Sequence, residues 1–111
     1  MAWQYAAASG GITDTVDVSL IAANADRRHI VKALQMINTD ATVATEVVIK
    51  DGSTVIWRGF APATIAAVTQ PSMVQVTFDP PLLGTRNTAM NAACITTSSQ
   101  TYINVQGDSI I

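Results

Sequence analysis

The segment that most constrains the fold is residues 47–57 (VVIKDGSTVIW), in which two runs rich in β-branched residues flank Asp51-Gly52. An Asp-Gly pair between such runs is typical of a two-residue hairpin turn of type I′, which requires positive φ at both central positions. The turn predicts the register of the hairpin. The predicted cross-strand pairs are Lys50 with Ser53, Ile49 with Thr54, Val48 with Val55, and Val47 with Ile56.

This register gives each face of the hairpin an apolar cross-strand pair, although a small sandwich has only one inner face. One apolar face is therefore left over. Two interpretations of that face stay open: it is a subunit or partner interface, or a loop of the same chain covers it. Its candidate interface residues are Val48, Val55 and Trp57.

Short segments with β-branched residues and alternating polarity continue along the chain, separated by turn residues. About seven or eight short strands at this spacing indicate an all-β fold, an antiparallel β-sandwich with Greek-key or jelly-roll-like connections, or a small barrel. Pro62 and Pro71 favour an irregular crossing between sheets over a short helix in residues 60–71. Besides the hairpin, strands are predicted at residues 12–20, 28–38, 72–78, 87–96 and 101–105, the last two paired as a hairpin. At 28–38 apolar residues occur on both parities and a short helix is the alternative, but the turn residues at 38–42 favour a strand.

A chain of 111 residues is long enough for one modest core. Residues 12–111 are predicted to form that single domain, and residues 1–11, ending in Ser-Gly-Gly, an N-terminal arm outside it. A disordered tail is the simpler interpretation of the arm. Trp3 and Tyr5 favour the other interpretation, an arm that packs on a neighbouring subunit, and they complete the set of candidate interface residues.

Charged residues make up only 13 % of the chain, and the formal net charge is −2. The six basic residues are scattered, which argues against binding to nucleic acid or to anionic membranes. No apolar run approaches the length of a membrane span, and the first residues do not resemble a signal peptide, so we expect a protein used without export. A weakly charged, partly apolar surface favours obligate oligomerisation.

No residue pattern indicates catalysis, a cofactor or a metal site. The only histidine, His29, has no nucleophile motif beside it and is expected at the surface or at a sheet edge. The only cysteine, Cys94, lies in an apolar alternating segment and is expected to be a buried, reduced thiol. The eight acidic residues are dispersed, and their spacing indicates neither a carboxylate pair nor a calcium loop. We therefore expect a protein that is not an enzyme.

Two stretches carry a resemblance to a known group: residues 38–57 (NTDATVATEVVIKDGSTVIW), and residues 81–94 (PLLGTRNTAMNAAC) running on to 102–107 (YINVQG). Together they resemble small β-sandwich virion proteins of tailed bacteriophages, which include capsid decoration or cement proteins and related head or tail components. The resemblance covers about half of the chain. Asp108 departs from the pattern, because an aromatic residue is expected after Gln-Gly.

The resemblance implies a structural virion protein on the capsid surface, commonly a homotrimer, that bridges major capsid subunits and resists internal pressure. It assigns no individual binding residues. The expected partners are therefore other copies of the chain and the major capsid protein. The alternative hypothesis is a tail- or fibre-associated β-sandwich module that recognises host-surface glycans.

Overall fold

A computed structural model of the chain describes residues 1–6, 11–64 and 73–111. All regular structure in these ranges is β-strand. The strands are β1 (Ala2–Tyr5), β2 (Val18–Ile21), β3 (Arg28–Asn38), β4 (Thr45–Asp51), β5 (Thr54–Ala61), β6 (Met73–Leu83), β7 (Met90–Cys94) and β8 (Thr101–Ile110).

The eight strands form two four-stranded antiparallel sheets. The first sheet has the order β1-β8-β3-β6 and the second the order β2-β7-β4-β5. In this order successive strands alternate between the sheets, except at the β4–β5 hairpin, and the last strand lies beside the first. This is the strand order of a double-sheet jelly roll, which confirms the predicted all-β sandwich.

The core lies between the two sheets. It is built from alternate residues of the central strands, such as Leu34 and Met36 of β3, Val47 and Ile49 of β4, and Ile103 of β8, all almost fully buried. Alternation places every second side chain of a strand on the inner face. The intervening residues of the same strands form the two outer faces of the sandwich, one on each sheet.

Buried polar groups fix one end of β3. The Asn38 side chain is fully buried; its Nδ2 donates to the Val43 carbonyl at 2.7 Å, and its Oδ1 accepts from the backbone N–H of Asp40 and of Gln100. The side chain thus joins the end of β3 to the loop before β4 and to the start of β8. Because these backbone groups would otherwise lack partners, the contacts define the loop geometry at this end.

The 47–57 hairpin forms, but with a different turn and register. Asp51 pairs with Thr54, so Gly52 and Ser53 make the turn; Gly52 has φ +63° and Ser53 is not in the positive-φ region. This is the φ pattern of a type II′ turn. The register shifts again between Ile49 and Lys50, so Val48 lies opposite Arg58 and Val47 opposite Gly59. The predicted pairs of Val48 with Val55 and Val47 with Ile56 are therefore wrong.

Long-range contacts explain this register. The Asp51 carboxylate accepts hydrogen bonds from the backbone N–H and the hydroxyl of Thr85, at 3.0 and 2.6 Å. Gly52 donates its N–H to the Ala89 carbonyl. These contacts hold Asp51 in the ladder rather than in the turn, and the extra residue on β5 is taken up as a bulge.

Three other strand predictions need correction. The predicted strand at 12–20 is reduced to β2 and an isolated bridge from Ile12 to Thr101. The strand predicted to end before Pro80 and Pro81 continues to Leu83, because β6 is an edge strand with an irregular register there and proline is tolerated at such positions. The last two strands, β7 and β8, do not pair, since they belong to opposite sheets.

Residues 28–38 form β3 as predicted. Residues 60–71 are predicted to form an irregular crossing between sheets, with a short helix as the alternative. Positions 65–71 of this segment lie outside the described residues. Its described part begins with the end of β5 at Ala61.

Candidate functional site

Trp3 and Tyr5 do not lie on a detached arm. Ala2–Tyr5 forms β1, which pairs with β8 of the same chain, and both aromatic side chains are half-buried against the core. Trp3 donates its indole N–H to the Asp108 carbonyl at 3.1 Å. Gly107 makes this packing possible, because a Cβ there would overlap the Trp3 ring and the Ile30 carbonyl oxygen. The expectation of an arm outside the domain is therefore wrong for these residues.

The three hairpin candidates have different environments. Val48 is only 3 % exposed although it faces outward, opposite Arg58 and Ala93. The aliphatic parts of Arg58 and Lys50 lie beside it and can cover it. Trp57 points inward and makes an edge contact with Phe78, with ring centroids 5.6 Å apart. Only Val55, 36 % exposed, remains accessible, so these residues do not form one apolar surface.

The outer face of the second sheet nevertheless exposes other apolar side chains. Phe60 is 60 % and Ile95 50 % exposed, and they lie on opposite sides of Glu46, Phe60 in β5 and Ile95 directly after the end of β7. Two ion pairs cross the same face, Arg58 with Glu46 at 3.5 Å and Lys50 with Asp17 at 2.8 Å. Phe60 lies three residues beyond segment 47–57, and Ile95 directly follows β7. The local pattern at 47–57 therefore could not identify them.

The outer face of the first sheet is different, because five carboxamide side chains dominate it. We call this surface the amide face. Its members are Gln4 of β1, Gln35 of β3, Gln75 of β6, and Asn104 and Gln106 of β8. At its centre is a shallow depression of about 240 Å³. The sequence does not reveal this face, because its residues come from strands far apart in the chain.

His29 is not a surface or sheet-edge residue, since β3 is a central strand and the side chain is 2 % exposed. Its Nδ1 lies 2.7 Å from the Ser109 hydroxyl and its Nε2 2.8 Å from the Ala22 carbonyl oxygen. The carbonyl can only accept, so Nε2 carries a proton and donates it. The edge of Trp3 packs against the ring. His29 thus has a structural role that joins β3, β8 and the loop after β2.

Cys94 is buried and not in a disulfide, as predicted. Burial raises the pKa of its thiol, because desolvation disfavours the thiolate; hydrogen bonding from Ser99, Thr101 and Thr45 opposes that rise. A buried thiol with a raised pKa is a poor nucleophile.

Within residues 1–6, 11–64 and 73–111, no three His, Cys, Asp or Glu side chains are grouped so that they could hold a metal ion. The same ranges contain no helix long and apolar enough to cross a membrane.

Comparisons with known proteins identify no relative: no family model, no curated protein and no solved structure matches the chain.

Proposed function

We propose that this chain is a non-enzymatic structural protein of a virus particle, a capsid cement or decoration subunit that acts as a homotrimer on the capsid surface. Its partners in this proposal are two further copies of the chain and the major capsid protein, whose subunits it bridges. The jelly-roll strand order supports the proposal, since double-sheet jelly rolls recur in viral capsid proteins. Because one fold serves many functions, the side chains on the surface of the sandwich have to support this function.

The observation that carries the proposal is the outer face of the second sheet, where Val55 and Phe60 of β5 and Ile95, directly after β7, are exposed. Burying apolar area contributes about 25 cal/mol per Å² before the costs of association. The charges on this face, Glu46 with Arg58 and Lys50 with Asp17, are already paired within the chain. A partner can therefore cover this face without leaving a charge unpaired.

A cement subunit benefits from this combination. Each copy needs only a modest apolar contact, because many copies on a symmetric lattice add avidity. With few unpaired charges, attachment should depend weakly on salt. The proposal therefore predicts a neutral, salt-tolerant contact rather than an electrostatic one.

The test compares capsids of the source virus with and without the chain. The bound protein should raise the temperature at which the heads release DNA, and identical release temperatures would refute the cement role. Phe60→Asp should weaken attachment at least tenfold, because it places a carboxylate in the apolar contact. Leu83→Asp is the matched control. Leu83 is exposed to a similar extent, 58 % against 60 % for Phe60, but it belongs to β6 in the other sheet, so attachment should be unchanged.

The homotrimer is tested separately in solution. Size-exclusion chromatography with light scattering should give about three times the mass of one 11.7 kDa chain. A mass of one chain at all concentrations would contradict the trimer, although it would leave attachment of single subunits to a capsid open to the first test.

A further inference from the structure

The depression at the centre of the amide face is formed by two neighbouring rows of side chains on β8, β3 and β6. The first row runs from Asn104 through Gln35 to Gln75, and the second from Gln106 through Ala33 to Thr77. Ala33 has only a methyl group, whereas its neighbours in both rows are longer. This difference in length makes the surface concave at this point.

The polar groups around the depression have hydrogen-bonding capacity to offer. Within the described residues, the side chains of Gln35, Gln75, Gln106 and Thr77 make no hydrogen bond. A carboxamide presents two N–H donors and one carbonyl acceptor, and a hydroxyl presents one donor and an acceptor. A ligand whose own groups both donate and accept would match this lining.

No charged side chain lines the depression. On this face Lys32 lies beside Ala33 on β3 and Asp108 two residues after Gln106, and they pair with each other at 3.5 Å; Asp79 lies two residues after Thr77 on β6. The lining therefore offers no counter-charge to a carboxylate, a phosphate or an ammonium group. Charge complementarity favours an uncharged ligand.

A less polar row borders the depression on one side. Tyr102, Ile37 and Met73 lie opposite one another on β8, β3 and β6, two residues along each strand from the row of Asn104, Gln35 and Gln75. Two residues of a strand span about 7 Å, roughly the width of a six-membered sugar ring. A sugar has hydroxyl groups at its edges and C–H groups on its face. The amides are complementary to the hydroxyl groups, and the row of Tyr102, Ile37 and Met73 is complementary to the C–H face.

We propose that the depression on the amide face is a binding site for one ring of a neutral saccharide. Ring hydroxyls bond to Gln35, Gln75 and Gln106, and the C–H face of the ring lies toward the row containing Tyr102. This inference does not depend on the capsid role, because it concerns the opposite sheet. A subunit attached through the second sheet would present this face outward.

The experiment is a titration of the ¹⁵N-labelled chain, followed through its side-chain amide resonances. The probes are the methyl glycosides of glucose, galactose, mannose and N-acetylglucosamine, with glucose 6-phosphate as a charged comparison. At least one neutral sugar should give saturable shifts at Gln35, Gln75 and Gln106, with a Kd on the order of 1 mM. The phosphorylated sugar should bind no more tightly than its neutral counterpart.

Three variants locate the site. Ala33→Leu fills the depression and should weaken binding at least tenfold, and Gln35→Ala should weaken it roughly three- to tenfold by removing hydrogen bonds. Gln4→Ala is the matched control, because Gln4 belongs to the amide face on β1 but does not line the depression, and binding should be unchanged. If Ala33→Leu fails to fold, Gln75→Ala on the exposed edge strand β6 takes its place.

Several results would overturn the proposal. They are the absence of saturable shifts with all four neutral sugars, tighter binding of the phosphorylated sugar, or unchanged binding in Gln35→Ala and Gln75→Ala. Shifts of the same amides on raising protein concentration without sugar would instead make this face a contact between copies. Capsid attachment is measured with Phe60 variants on the other sheet, so failure of either proposal leaves the other standing.

Discussion

The outer faces of the two sheets have different chemistry although each sheet has four strands and both share one core. The first sheet presents amides around a depression with no charge in its lining. The second presents exposed apolar residues and two ion pairs above Val48, which is buried although it points outward. On the first sheet, outer side chains are therefore available for ligands. On the second, the centre of the outer face contributes to stability and only its margin is free.

The largest expected effect comes from placing a charge at the centre of each face. Val48→Asp should lower the free energy of unfolding by about 3 kcal/mol or more, because a carboxylate would replace a 3 % exposed apolar side chain beside Arg58 and Lys50, whose charges are already paired with Glu46 and Asp17. Gln35→Asp, at the corresponding central position of the first sheet, should cost about 1 kcal/mol or less. Urea unfolding of both variants measures the difference. Equal losses would show that the two faces are covered alike.

A second pair of variants separates the centre of the second sheet from its margin without adding charge. Val48→Ala removes buried methyl groups and should cost about 2 kcal/mol, whereas Val55→Ala, at a 36 % exposed position on the same face, should cost less than about 1 kcal/mol. The same denaturant titration applies. If Val55→Ala were the more costly change, the margin would be packed more tightly than the centre.

The sequence predicts features that depend on neighbouring residues better than features that depend on contacts between residues far apart in the chain. Alternation of side chains with period two is local, so the all-β class could be predicted. The strand at 28–38, where apolar residues occur on both parities, could be predicted from the turn residues that follow it. The hairpin register could not, because it depends on Thr85, more than thirty positions from Asp51. An Asp-Gly turn and a Gly-Ser turn differ by one residue, and the remote contacts of Asp51 with Thr85 and of Gly52 with Ala89 select between them.

The candidate sites illustrate the same limit. Trp3 and Tyr5 were predicted as interface residues from their type alone, yet Gly107 of β8 provides the space in which Trp3 packs. The amide face could not be predicted at all, since Gln35, Gln75 and Gln106 come together only through the pairing of β3 with β6 and β8. Residue type indicates what a side chain can do, whereas strand order decides what lies beside it.

On the inner side of the second sheet, the buried thiol of Cys94 should make the free energy of unfolding depend on pH. The pKa of Cys94 is raised by burial, so as pH rises the unfolded chain loses this proton before the folded chain does. The free energy of unfolding should be unaffected below the ordinary thiol pKa and decrease above it, by at most about 1.4 kcal/mol per pH unit. Urea titrations from neutral to alkaline pH should show this decrease in the wild type relative to Cys94→Ala. Parallel curves for the two proteins would mean that the thiol is accessible in the folded state.

The smallest effect on stability is expected at the margin of the second sheet. Phe60→Asp changes a side chain that is 60 % exposed on the edge strand β5, so the free energy of unfolding should change by no more than about 0.5 kcal/mol. The same substitution is expected to weaken attachment to capsids at least tenfold, and this separation of stability from binding is what distinguishes a contact surface from a core. A loss of 2 kcal/mol or more would show that Phe60 stabilises its own chain, as Val48 does. The second sheet would then be closed across its whole outer face, and the amide face would be the better candidate for the contact with a partner.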